Sequence, residues 1–403
     1  MLGLYVLYKG TSMYFEPGNL EGKETGAILD RLIQYVTKSD EEIAEEGREK
    51  KKTTTELKVF LAENRGLEQG DIEERIQNLL FADGLTKPQT EFFDSHNFEE
   101  YILNEELSSV EITTPQYDRT DQFFFYYPDN YLRVFTIERR KWTERTVERL
   151  IKYLPELDRL LLSSEDLEEI SEDLQKTDVS GFTAKYQPYY REQSVSIQFH
   201  GSEPGDLEKV EEEFNARPSR LELSRRNSPA DAVKTSMDVG GYFSVPRIRE
   251  DSQDLGHETL MHLGEEYQSR DRENFDVEQK PRKIPQRQGF SIEGHATLEL
   301  VEQVDDLEPD VAPSHEGLVQ KLEDEVIDGK RRYEYSVWED GNYMVFDKER
   351  DEPFEITIED RNIVLHAKPA TSSVTLRDFC EIIRREFNTT YRLEKTSEKV
   401  GVL

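Results

Sequence analysis

Residues 333–366, YEYSVWEDGNYMVFDKERDEPFEITIEDRNIVLH, carry the reading that decides the fold. Four short runs in it, Tyr333–Trp338, Tyr343–Phe346, Phe354–Ile358 and Ile363–His366, are strand-like, with apolar residues recurring at alternate positions. A period of two sends successive side chains to opposite faces of a strand. Asp340-Gly341 is a hairpin dipeptide between the first two runs, and Asp360-Arg361-Asn362 makes the third turn. Just downstream, Thr371, Ser372 and Ser373 offer N-caps to a segment in which Leu376, Phe379, Cys380, Ile383 and Phe387 share one helical stripe. A sheet with one apolar face needs a cover, and that helix supplies one. Residues 290–403 therefore read as a C-terminal α+β domain, a four-stranded antiparallel meander packed on a helix. Phe290–Val301 reads as a further strand ahead of it, and His315–Ile327 as a further helix.

Working outward, residues 119–226 read as a central α+β domain of hairpin-helix units. The aromatic run Phe123–Tyr127, the turn Pro128-Asp129-Asn130 and the strand Leu132–Ile137 make its first hairpin. Thr143 is expected to cap a helix lined by Val147, Leu150, Ile151, Leu154, Leu157 and Leu161, kinked or ended by Pro155. The same grammar returns in Phe182–Tyr190, Val195–Phe199 and a helix over Asp206–Phe214. Residues 1–118 read as a mainly helical N-terminal region after a first strand around Val6. Ile28, Leu29, Leu32, Ile33 and Val36 mark one helix, Leu57, Phe60 and Leu61 open a second, and Ile72, Ile76, Leu79 and Leu80 a third. Residues 227–289 read as an irregular connection, because five prolines and Gly240-Gly241 punctuate 215–290 and only His257–Tyr267 looks helical. The expected class is α+β throughout.

The 403 residues include 86 acidic and 52 basic side chains, a formal charge of -34, with a mean hydropathy of -0.79. No stretch approaches the roughly 20 apolar residues of a membrane-spanning helix, so no membrane association is expected. One cysteine, Cys380, excludes an internal disulfide scaffold. The acid is spread along the chain rather than gathered in a tail. In composition it resembles proteins of halophilic archaea, whose concentrated salt screens such repulsion. The opening MLGLYVLYKGTSMYF lacks a basic leader and a small-residue cleavage site, so a cytoplasmic location is the expectation.

Catalytic signatures are sparse. There is no phosphate-binding G-x-x-x-x-G-K-[ST] loop, no G-x-G-x-x-G turn and no G-x-S-x-G elbow, and no cofactor is expected. His257-Glu258-Thr259-Leu260-Met261-His262 is one residue longer than the H-E-x-x-H of zinc proteases. Five residues turn a helix through about 500°, which parts the two rings by about 140°, so only a bulge would aim both at one metal. Asp231 or Asp238 with Glu278 and Lys280 sketches a metal-dependent nuclease core, but Pro281 interrupts the strand it would need. A metal-dependent hydrolase or nuclease is the alternative function, and enzyme activity stays an open expectation that leans to none.

Local charge reversal is the stronger signal. Arg139, Arg140, Lys141, Arg145, Arg149 and Lys152 surround Trp142 and Tyr153; Arg217, Arg220, Arg225 and Arg226 form a second group, followed by Arg247 and Arg249. Lys280, Arg282, Lys283 and Arg287 form a third, and Tyr186, Tyr189 and Tyr190 add an aromatic strand that can stack on a ligand. The competing reading pairs these arginines internally with Glu138, Glu144 and Glu148. On balance the chain reads as a non-catalytic binding or assembly component of a larger complex, facing its partner through the central basic region. A protein is favoured as that partner over nucleic acid, because high salt penalises purely electrostatic recognition.

Overall fold

The computed structural model describes residues 15–46, 55–82, 85–174, 177–186, 195–200, 205–207, 209–210, 217–225, 232–275, 295–300, 320, 322–327, 332–339, 342–359, 362–368, 371–387 and 391–395. In chain order the elements are α1 (Thr25–Val36), β1 (Thr37–Lys38), α2 (Asp40–Glu46), β2 (Leu57–Asn64), α3 (Ile72–Phe81), α4 (Lys87–Ser95), β3 (Asn97–Ile102), β4 (Leu107–Thr114), β5 (Arg119–Tyr126), β6 (Tyr131–Thr136), α5 (Arg140–Thr143), α6 (Val147–Tyr153) and β7 (Leu157–Arg159). Next come α7 (Ser164–Asp173), β8 (Thr177–Tyr186), β9 (Val195–His200), β10 (Arg217–Arg225), β11 (Val233–Asp238), β12 (Tyr242–Arg249) and a long α8 (Gln253–Phe275). The C-terminal part adds β13 (His295–Leu300), a π-helical segment Leu322–Ile327, β14 (Tyr333–Glu339), β15 (Asn342–Asp347), β16 (Glu352–Glu359), β17 (Asn362–Ala367), α9 (Ser373–Phe387) and β18 (Tyr391–Lys395). The class is α+β.

The chain divides into two compact units, the first being Met1–Leu160, Leu174–Thr177 and Leu223–Gln268, the second Leu161–Asp173, Asp178–Glu222 and Ser269–Leu403. In the first, strands run in the order β3-β4-β5-β6-β2-β12-β11. Short β7 continues the β2 edge where β12 leaves it, and β1 lies parallel to the end of β12. Phe60, Ala62, Val110, Ile112, Phe123, Phe125, Leu132 and Val134 face one core, covered by Ile72 and Ile76 of α3, Phe92 and Phe93 of α4, and Val147, Leu150 and Ile151 of α6. On the opposite face α1 lies along β2 and β12. There Tyr267 of α8 packs 5.8 Å from Phe243 and donates to Asp238 O and Tyr242 O.

Burial on both faces explains one correction. Leu57, Phe60 and Leu61 do not open a helix; they lie in β2, where Leu57, Val59, Phe60, Leu61 and Ala62 are all buried. A strand covered on both sides is apolar throughout and has no period of two to read. A second correction concerns the helix expected after Thr143. The chain makes the separate α5 and α6 and stops at Tyr153 ahead of Pro155. Thr143 donates its hydroxyl to Arg140 O and Glu148 Oε1 rather than capping α6, and Leu157 pairs with Asn64 in β7.

The stretch 227–289 is not irregular where it is described, since β11, β12 and the 23-residue α8 fill it. Its breakers have local jobs. Gly240-Gly241 is the β11–β12 turn. Pro246 sits at a bulge, where Val245 and Pro246 stand against Thr235 between the pairs Ser236↔Ser244 and Lys234↔Arg247. A bulge is the place in a strand that tolerates a residue without an N–H. The polar end of α8 resembles loop in the sequence but is held by side chains of the second unit. Arg270 pairs with Glu169 (2.5 Å) and Asp173 (3.0 Å) of α7, and Asn274 donates to Asp166 at 2.9 Å.

The second unit contains the sheet β14-β15-β16-β17-β13-β18, antiparallel throughout. Strands β14 to β17 follow the meander expected from residues 333–366. Beyond it, β13 is inserted beside β17 and followed by β18, a strand the alternation did not mark. Tyr343, Val345, Phe354, Ile356, Ile358, Ile363 and Leu365 pack against Leu376, Phe379, Cys380 and Ile383 of α9. The start of α9 is tied to β16, because the Glu352 carboxylate accepts from Ser372 N (2.7 Å), Ser372 Oγ (2.8 Å) and Thr375 Oγ1 (2.6 Å). Arg332 joins Asp347 and Asp378, and Arg350 also binds Asp378, which fixes the helix over the end of the sheet. The expected strand near Val6 and the turns at Asp340-Gly341 and Asp360-Arg361 lie outside the described residues, as do most of Asp206–Phe214 and, within His315–Ile327, residues 315–319 and 321.

Candidate cationic–aromatic site

Two chain reversals of the first unit meet at one end of its sheet. After β4 the chain turns through Pro115–Tyr117, with Asp118 in the left-handed region at φ 46, and returns as β5. Since β6 runs antiparallel to β5, the exit of β6 into α5 lies beside the entry of β5. Tyr117 and Trp142 therefore meet edge to face, with ring centroids 5.4 Å apart.

Three cations surround that pair. The Arg119 guanidinium lies 4.6 Å from the Trp142 ring, Arg145 5.4 Å from both rings, and Lys141 Nζ 5.5 Å from Trp142. Arg119 is anchored from beneath by two fully buried carboxylates, Asp121 at 2.5 Å and Glu138 at 2.6 Å. Lys141 and Arg145 have no such anchor, and among the described residues neither they nor the exposed Arg139 make an ion pair. Tyr117 is 46% exposed and Trp142 half-buried, so the rings are presented rather than packed away. An aromatic surface ringed by uncommitted cations can take an anionic or acidic–apolar group, combining cation–π, stacking and charge-assisted hydrogen bonds.

The other candidates are distributed differently. Arg140 turns inward, its Nε 3.1 Å from Glu144 and Nη2 3.3 Å from Glu148, with its guanidinium 4.5 Å from the Tyr242 ring. Burial raises the Glu148 pKa, with Arg140 and Arg159 opposing it. Arg225 is buried and pairs with Glu258 (2.6 Å) and Thr259 (2.9 Å) of α8. Arg249 pairs with Asp40 at 2.5 Å. For these three the internal-pairing alternative describes the geometry. Tyr186 ends β8 opposite Val195. Tyr189, Tyr190, Arg226, Asp231, Glu278 and the cluster Lys280, Arg282, Lys283 and Arg287 lie outside the described residues.

On α8, His257 and His262 engage different partners: His257 Nδ1 lies 2.9 Å from Asp30 Oδ1 of α1, and His262 Nε2 4.0 Å from Glu266 Oε1 of α8 itself. Among the described residues no group of three His, Cys, Asp or Glu side chains is placed to hold a metal ion, and no helix is long and apolar enough to cross a membrane. Cys380 is completely buried, and burial pushes its thiol up to about 12, so the reactive thiolate is suppressed. Tyr117 and Arg119 escaped the sequence reading. The Pro115–Asp118 turn signal was available, but the contact with Trp142 needs the strand order. No protein-family model matches the chain, and no curated protein matches it.

Elsewhere in this unit an acidic pair gives the chain a pH response. Glu111 on β4 stands opposite Glu99 on β3; it is 6% exposed, its Oε1 has no hydrogen-bond partner, and burial followed by Glu99 lifts its pKa to about 7. A folded-state pKa above the unfolded value means that the protonated carboxyl stabilises the fold. That contribution is complete below about pH 4.5 and is lost as pH rises through about 7. Glu111→Gln is therefore expected to be more stable than the parent at pH 8 by about 2 kcal/mol and nearly equal to it at pH 4.5. Urea unfolding of both proteins at the two pH values measures this. A difference that does not change with pH rejects it.

Proposed function

We propose that the protein is a non-catalytic binding component of a larger assembly, and that it engages a protein partner through the patch built on Tyr117, Lys141, Trp142 and Arg145. The observation that carries this reading is the half-exposed Tyr117–Trp142 pair with Lys141 and Arg145 beside it and no carboxylate on either cation among the described residues. Tryptophan and arginine are the residues on which interface energy concentrates. A nucleic-acid partner is disfavoured by the net charge of -34, which repels a polyanion at long range and leaves only a few cations to neutralise phosphates.

Copurification from native lysate identifies the partner, and a binding titration with the purified pair then measures it. Trp142→Ala is expected to weaken the complex by at least about 30-fold, the equivalent of a hot-spot loss of about 2 kcal/mol. Lys141→Glu with Arg145→Glu is expected to weaken it less and in a salt-dependent way. Parent affinity retained in Trp142→Ala overturns the reading. A complex with oligonucleotides that both variants lose replaces the protein partner with nucleic acid.

A further inference from the structure

Arg133 lies at the middle of β6, under α8, and is 3% exposed. Its Nη2 donates to Gln268 Oε1 at 2.7 Å and its Nη1 to Met261 O at 3.4 Å. Its guanidinium sits 5.7 Å from the Tyr126 ring and so close to α8 that a Cβ on Gly264 would stand 2.8 Å from Nη1. Every one of these neighbours is neutral. An arginine keeps its proton in a protein, so this is a full positive charge in the interior. Among the described residues no carboxylate lies within ion-pairing distance of it; Glu265 acts on it only through space and is itself exposed.

Two donors at this place are also unused. Arg133 Nε and Gln268 Nε2 are both buried and have no acceptor, and Gln268 is 7% exposed. The Gln268 amide is oriented by its own carbonyl, which accepts from Arg133, so Nε2 is the end left over. What is lacking is an acceptor with one negative charge. A water would accept from both donors but would leave the charge uncompensated. A halide ion accepts from any direction, donates nothing and cancels the charge. We infer that Arg133 and Gln268 hold a chloride ion between β6 and α8 in the first unit.

Thermal unfolding of the full chain tests this in KCl, KBr and potassium gluconate at matched ionic strength between about 0.1 and 1 M. General screening of the acidic surface acts alike in all three salts. The bound ion adds a saturating rise in midpoint with the two halides alone, since a ligand that binds only the native state stabilises by mass action. Arg133→Met and Gln268→Leu are each expected to abolish the halide-specific rise while keeping the common one. Crystals grown in KBr decide the matter independently of how the variants fold. An anomalous bromide peak in contact with both Arg133 Nε and Gln268 Nε2 is expected. A halide-specific rise that survives in both variants, or a site holding only water in bromide crystals, overturns the inference.

Discussion

Asp271→Ala is expected to destabilise the protein by about 3–5 kcal/mol, the usual cost of breaking a buried ion pair from one side. Asp271 on α8 and Arg377 on α9 are 1% and 3% exposed. They meet through Nη2–Oδ2 at 2.9 Å and Nε–Oδ1 at 3.2 Å, and the guanidinium also lies 4.8 Å from the Phe275 ring. Taking the carboxylate away removes this two-point partner from a buried guanidinium of the second unit that cannot discharge itself. Arg377→Ala removes the same two hydrogen bonds from the buried aspartate and is expected to cost a similar amount. Asp271→Leu combined with Arg377→Met removes both charges and should recover most of the loss, because apolar residues of like volume replace such pairs at little cost. Urea unfolding of the two single variants and the double variant measures the coupling. Single variants within about 1 kcal/mol of the parent would show that water reaches the pair.

Gly241→Ala should cost about 2–4 kcal/mol, whereas Gly240→Ala next to it should cost less than about 1 kcal/mol. Gly241 turns β11 into β12 at φ +63, and a Cβ there would stand 2.6 Å from Leu160 O and 3.0 Å from Leu160 N. Neither backbone can give way. Leu61 N donates to Gly241 O at 2.9 Å, and Leu160 N donates to Leu61 O at 3.1 Å, so both segments are fastened to the same residue of β2. At Gly240 the nearest atoms are side-chain ends, Asp238 Oδ1 at 3.3 Å, which accepts the Gly240 N–H, and Arg159 Nη2 at 3.6 Å, so a shift of a few tenths of an ångström makes room. Gly241→Asn separates the two contributions, since asparagine tolerates the left-handed backbone but carries the same Cβ. A Gly241→Ala melt that coincides with the Gly240→Ala melt would contradict the close approach to Leu160.

Elements with one wet face and one dry face were readable from sequence, because exposure writes a period into the residues. The helix of Ile28, Leu29, Leu32, Ile33 and Val36, the strands of residues 333–366 and the stripe of Leu376, Phe379, Cys380 and Ile383 all appear as the pattern requires. β2 was unreadable because both of its faces are dry. The polar end of α8 looked like loop because its Arg270, Asp271 and Asn274 find their partners far away along the chain, at Glu169, Arg377 and Asp166. Ion pairs of that span leave no local trace.

The candidate site divides in the same way. Composition and local charge in the sequence singled out Arg139, Lys141, Trp142 and Arg145 as a basic cluster about an indole. Residue order alone could not say which arginines were already spoken for. Arg140 and Arg225 differ from Lys141 and Arg145 in what the fold brings beside them: Glu144, Glu148 and Tyr242 for one, Glu258 for the other. Tyr117 and Arg119 joined Trp142 for the same reason, as did Glu99 with Glu111 and Arg133 with Gln268. The sequence by itself determined the α+β class, the periodic elements and the place where positive charge gathers, because these depend on neighbours a few residues apart. Only the tertiary structure decided which charges are neutralised and which remain, because a carboxylate's effect falls off over a few ångströms of space and is indifferent to distance along the chain.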